Sequence, residues 1–150
     1  MWNNYAVAGV LLSSALLPSL AGASLGDPAA SVQSDLARLH GSLNVVDHEN
    51  YRVHELRLPT GTAVREFSDL DGTVFAVAWS GPTIPNLRQT LGQYFDRYVA
   101  AAKAPHPSHR HLQVRDDDLV IQAGGHMRAF SGRAYLPHLV PGGVNIGDLR

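Results

Sequence analysis

Residues 72–82 read Gly72-Thr-Val-Phe-Ala-Val-Ala-Trp79-Ser-Gly-Pro82, and the run from Val74 to Trp79 holds no polar side chain. A strand with one wet face alternates apolar and polar residues. A short run that is apolar throughout is covered on both faces and lies inside a sheet. Thr73 to Trp79 is therefore predicted as a central strand. Asp71-Gly72 immediately before it is a hairpin dipeptide, which puts a partner strand at Thr62 to Phe67. Pro59-Thr60-Gly61 is turn chemistry, and Tyr51 to Leu58 is a third strand, with Leu56 and Leu58 on one side and Tyr51 and Val53 on the other.

Downstream, Ser80 to Pro85 breaks the pattern, and a helix is predicted over Asn86 to Lys103. Leu87, Leu91, Tyr94, Phe95, Tyr98 and Ala102 form its apolar stripe, with Arg88, Gln89, Gln93, Arg97 and Lys103 opposite. Asn86 and Gln89 form a capping pair, and Gly92 inside the helix implies a close approach to the sheet. Leu112 to Val114 and Leu119 to Ala123 read as a hairpin around Asp116, Asp117 and Asp118. Gly124-Gly125 turns the chain into a last strand, His126 to Leu136, bulged at Gly132. The expected architecture is α+β: a six-stranded antiparallel sheet in the order βββ-α-βββ, with one long amphipathic helix packed on it.

The two ends carry less pattern. Pro141 to Arg150 reads as an irregular tail, and Ser24 to Ser34 as a flexible tether. A short helix is predicted near Ala30 to Leu39, where Val32, Leu36 and Leu39 keep helical spacing. Before these, no charged side chain occurs from Tyr5 to Ala21. The apolar run Ala6 to Leu17, the Pro18 break and Ala21-Gly22-Ala23 have the layout of a signal peptide cleaved after Ala23. Residues 1–23 are thus expected to be a signal peptide, and 24–150 a single exported domain, periplasmic or secreted. The apolar run is interrupted by Ser13, Ser14 and Pro18 and is shorter than the roughly 20 residues a spanning helix needs. No stable membrane span is expected after processing; retention of the segment as an anchor is the alternative.

The 12 basic and 13 acidic residues all lie beyond residue 23 and nearly cancel, so no basic excess exists to grip nucleic acid. There is no cysteine, which excludes disulfides, thiolate metal sites and a lipidated N-terminal Cys. Only Lys103 is a lysine. An arginine bias of that kind is compositional, and arginine alone is weak evidence for anion recognition.

The segments Tyr51 to Thr62, Gly72 to Pro82, Leu87-Arg-Gln-Thr-Leu-Gly-Gln-Tyr-Phe95 and Gly124-Gly-His-Met-Arg-Ala-Phe-Ser-Gly-Arg-Ala-Tyr-Leu-Pro137 resemble a family of small exported bacterial proteins, domain of unknown function 2844. The likeness spans nearly all of the chain after residue 23. It implies export and a single domain, and carries over no activity, cofactor or catalytic residue.

Among the 8 histidines, His106, His109 and His111 crowd one loop and are the metal candidates, since imidazoles bind zinc, copper or nickel. Pro105 and Pro107 stiffen that loop, Arg110 intervenes and no carboxylate adjoins, so a solvated, pH-sensitive loop is the simpler reading. Asp116 to Asp118 lack the spacing, Gly and Glu of a calcium loop and read as a hairpin tip. Ser80-Gly81 and Ser131-Gly132 lack a nucleophile elbow. By alternation, His126, Arg128 and Phe130 share one face of the last strand, and Met127, Ala129, Ser131, Arg133 and Tyr135 the other. One arginine then pairs with Glu55 or Glu66 across the sheet, or meets a carboxylate ligand through its fork of donors.

The surface expected to recognise a ligand or partner comprises Trp79, His126, Arg128 and Arg133. The chain reads as an exported, non-enzymatic module that binds a protein, an envelope component or a small ligand on an open sheet face around these residues, and needs no cofactor. The alternative is a histidine-dependent, metal-assisted envelope enzyme. It requires His54, His126 and a carboxylate to converge.

Overall fold

The computed structural model describes residues 24–29, 41–105 and 111–150. Seven strands form one antiparallel sheet: β1 (Ser42–Asp47), β2 (Arg52–Arg57), β3 (Ala63–Ser68), β4 (Val74–Gly81), β5 (His111–Arg115), β6 (Val120–His126) and β7 (Ala129–Tyr135). Their spatial order is β1-β2-β3-β4-β7-β6-β5. Two meanders, β1 to β4 and β5 to β7, thus meet where β4 pairs with β7. The helical crossover between them comprises α1 (Leu87–Leu91), a 3-10 turn (Gly92–Tyr94) and α2 (Phe95–Lys103).

The α+β architecture is as expected, but the sheet has seven strands instead of six. The additional strand, β1, pairs with β2 from Ser42↔Arg57 to Asp47↔Arg52. It is an edge strand that leaves Val45 and Val46 exposed, so it carries no inside–outside alternation to reveal it. The short helix predicted near Ala30 to Leu39 lies outside the described residues.

β4 is central and buried on both faces from Val74 to Trp79. Register explains how six apolar residues fill two faces. Phe67 pairs with Ala76 but Ser68 with Val74, so Phe75 is the extra residue of a bulge. Phe75 therefore joins Ala76 and Ala78 on one side, while Val74, Val77 and Trp79 face the other. Two cores result. Leu56, Val64, Val77, Trp79, Ile121 and Ala134 meet Leu87 and Leu91 on the helix side. Phe67, Phe75, Tyr51 and Tyr135 meet Val144, Ile146 and Leu149 of the C-terminal segment on the opposite side.

Neither end of the folded domain is loose. The expected tether is corrected over Ser24 to Ala29, where Leu25 is fully buried. Leu25 N donates to Thr90 O, Gly26 N to Val74 O and Ala29 N to Gly72 O. The C-terminal segment lacks strands, as expected, yet it is pinned across the sheet. Arg133 Nη1 donates to Ile146 O and Arg65 Nη1 to Arg150 O, both at 2.7 Å.

The helical run departs from one continuous rod. Gly92 stands at φ 53° and caps α1, its N–H bonded to Arg88 O. The close approach predicted for it is made by the N-terminal segment, because a Cβ on Gly92 would stand 2.8 Å from Ser24 Cβ. Leu87 and Leu91 of α1 are buried, whereas no residue of α2 is. The stripe continues only as Tyr94, Phe95 and Tyr98, partly buried against the core. So α2 stands off the sheet, and that gap makes the site.

Candidate functional site

Between α2 and the β5–β6–β7 half of the sheet lies a cleft of about 330 Å³. Trp79, Leu87, Tyr98, Leu112 and Phe130 supply its apolar wall, and His111 and Ser131 its polar edge. The floor follows from register: Trp79 pairs with Gly132, Gly132 with Ala123, and Ala123 with Leu112. Gly132 has no side chain because the indole of Trp79 lies over it. A Cβ there would overlap the Trp79 ring, so its role is close packing and the predicted bulge is absent. Partial burial pushes the Tyr98 phenol above its ordinary range. Gly132→Ala is expected to expel the indole into the cleft and destabilise the domain by about 1–3 kcal/mol. A lowered melting temperature with red-shifted Trp79 emission checks this.

Ion pairs tie α2 to the turn between β5 and β6. Arg97 of α2 donates through Nη1 and Nη2 to Asp118 at 2.8 Å, and through Nη2 to Asp116. The predicted hairpin tip is therefore also an anchor for α2, with hydrogen bonds from Arg97 lowering the Asp118 pKa.

On the opposite face, a wider groove of about 890 Å³ follows the end of β5, β6 and β7. Gln113, Gln122, Arg133, Ser80, Ser131 and His126 line it, and Gly147 and Arg150 of the C-terminal segment close one side. Arg133 Nε donates to Gln122 Oε1 at 2.8 Å. Glu55 is not its partner. Glu55 instead binds Arg65 at 2.8 Å and Arg57 at 3.1 Å, and the Arg65 hydrogen bond lowers its pKa.

These positions separate the four residues singled out in sequence. The last hairpin turns at Met127-Arg128, with Arg128 at φ 66°, and Gly124-Gly125 belongs to β6. His126 consequently pairs with Ala129 and lines the same groove as Arg133, on the side away from Phe130. Trp79 belongs to the helix side, and Arg128 sits at the hairpin tip. α1 and α2 lie over the helix side and the C-terminal segment over Phe67, Phe75 and Tyr135 on the other, while His126 and Arg128 remain exposed.

The histidines do not form one centre. His106 and His109 lie outside the described residues, and His111 is exposed on β5. Among the described residues no group of three His, Cys, Asp or Glu side chains could hold a metal ion. His54 stands on β2, across the sheet from His126, opposite Glu66 and with Nε2 3.4 Å from Ser68 Oγ. Desolvation, then the charge of Arg52, lowers its pKa. A histidine depressed in the folded state binds fewer protons folded than unfolded, so stability should fall as pH drops below the unfolded value of about 6.5. The urea midpoint is expected to decline between pH 7 and 5.5, and His54→Gln to flatten that decline.

The cleft was only half legible in the sequence. Trp79 and His111 were singled out, and Tyr98 was assigned to the stripe, but Phe130 and Leu112 become wall residues only through the β4–β7 pairing. A family model described as "Protein of unknown function (DUF2844)" matches residues 21–149. No curated protein and no solved structure matches the chain.

Proposed function

We propose that this chain, which belongs to the family described as Protein of unknown function (DUF2844), is an exported, non-catalytic binding module that holds a small apolar ligand between α2 and the sheet. The observation that carries this reading is the aromatic cleft. A concave, mostly apolar space with a few polar groups at its edge is the ordinary form of a small-molecule site. Its walls are preformed by the buried Trp79 and Leu87, which keeps the ordering cost of binding low. Export rests on the apolar, uncharged residues 5–21 and the Ala21-Gly22-Ala23 site.

Two experiments test the two halves. Removing residues 1–23 should strand the protein in the cytoplasm, and unchanged fractionation would end the export claim. The neutral dye N-phenylnaphthylamine should brighten on binding the protein. Ala102→Trp, an exposed change on the helix wall of the cleft, should abolish that signal without altering the melting temperature. Equal brightening by the variant would remove the cleft as the site.

A further inference from the structure

The polar groove lies on the face of the sheet away from α2, and its shape follows from register. Ser80 pairs with Ser131, Ser131 with Gly124 and Gly124 with His111, so these four form one row across β4, β7, β6 and β5. Two residues along, Ala78, Arg133, Gln122 and Gln113 form the next row on the same face. Short side chains beside long ones leave a trough that crosses the strands. Four strands at their usual spacing give it a floor of roughly 14 Å.

The charge in the trough is arranged unlike that elsewhere on the sheet. Arg52, Arg57 and Arg65 each meet a carboxylate, as does Arg97 of α2. Arg133 is held by two neutral acceptors instead, Gln122 Oε1 on Nε and the Ile146 carbonyl on Nη1. Nη2 has no partner among the described residues. A guanidinium oriented in this way is immobilised without being neutralised, and its remaining donor suits an anion. No Asp or Glu is among the described lining residues, and the exposed Ser80, Ser131 and Gln113 supply neutral donors and acceptors beside it.

We infer that this groove is a second binding site, and that it takes a sugar acid, with the carboxylate on Arg133 and the hydroxyls on Ser80, Ser131 and Gln113. One fixed cation among neutral polar groups matches a hydroxylated monoanion. An acidic peptide fits less well, because extended peptides add to a strand edge through main-chain hydrogen bonds, whereas this trough runs across strands already paired. A free sugar acid and a uronate unit of a longer saccharide share the required chemistry. The site is separate from the cleft under α2 and does not depend on what the cleft holds.

Calorimetric titration of the full chain with galacturonate, galactose, trigalacturonate and triglutamate tests it. Galacturonate is expected to bind about tenfold more tightly than galactose, the discrimination one charge-assisted hydrogen bond supplies. Arg133→Gln should erase that preference. Because Arg133 also holds the C-terminal segment, Ser80→Asp is the second variant. It is an exposed change one row from Arg133 that sets a negative charge in the trough. It should abolish galacturonate binding while leaving the melting temperature and the brightening of N-phenylnaphthylamine unchanged. Trigalacturonate bound more tightly than galacturonate supports a saccharide chain lying along the trough, and equal affinity supports a free sugar acid. Equal affinity for galacturonate and galactose, binding of neither, or tighter binding of triglutamate than of either uronate would overturn the inference.

Discussion

Leu91→Asp is expected to leave the chain unfolded at room temperature. Leu91 is fully buried at the end of α1, in the core cluster that includes Leu25 and Leu87. The substitution removes a whole buried side chain and places a carboxylate among apolar neighbours. Even if the acid becomes protonated, the combined cost is roughly 5 kcal/mol or more, comparable with the ~5–15 kcal/mol that holds a typical domain together. The consequence also reaches the N-terminal segment, because Leu25 N is bonded to Thr90 O beside it. Circular dichroism should show loss of the cooperative transition. A melt equal to wild type would mean that α1 does not seal the helix-side core.

Phe75→Ala probes the other core. Phe75 is fully buried at the bulge, with ring centroids 6.3 Å from Tyr51 and 6.4 Å from Phe67. Truncation leaves a cavity beneath the C-terminal segment, and the expected loss is about 3–5 kcal/mol. The chain should still fold, but with Val144, Ile146 and Leu149 losing their packing partner. Amide exchange in residues 144–149 should therefore accelerate beyond the global change. A loss below about 1 kcal/mol would be the surface-substitution range and would contradict the bulge assignment.

The central strand could be read from sequence because burial on both faces leaves a continuous apolar run, and the hairpins beside it because Gly61 and Gly72 occupy true positive-φ turns. Where the reading failed, residues did a job other than their commonest one. Gly124-Gly125 looks like a turn but is strand, and at Gly125 the close main-chain approach of Ala129 and Phe130 leaves no room for a side chain. The real turn uses Met127 and Arg128, which carry no turn signature. That two-residue error moved His126 to the wrong face, away from Arg133. β1 escaped because an exposed edge strand needs no apolar alternation. The C-terminal segment gave a faint sign, Val144, Ile146 and Leu149 among glycines, whose meaning depends on the face of the sheet it crosses.

Native mass spectrometry of the protein recovered from the envelope fraction, without added metal, bears most directly on the proposal of an exported ligand-binding module. The expected spectrum is a chain beginning at Ser24 that retains a small organic molecule, lost in Ala102→Trp. A chain still carrying residues 1–23, or a processed chain that is bare, would contradict it.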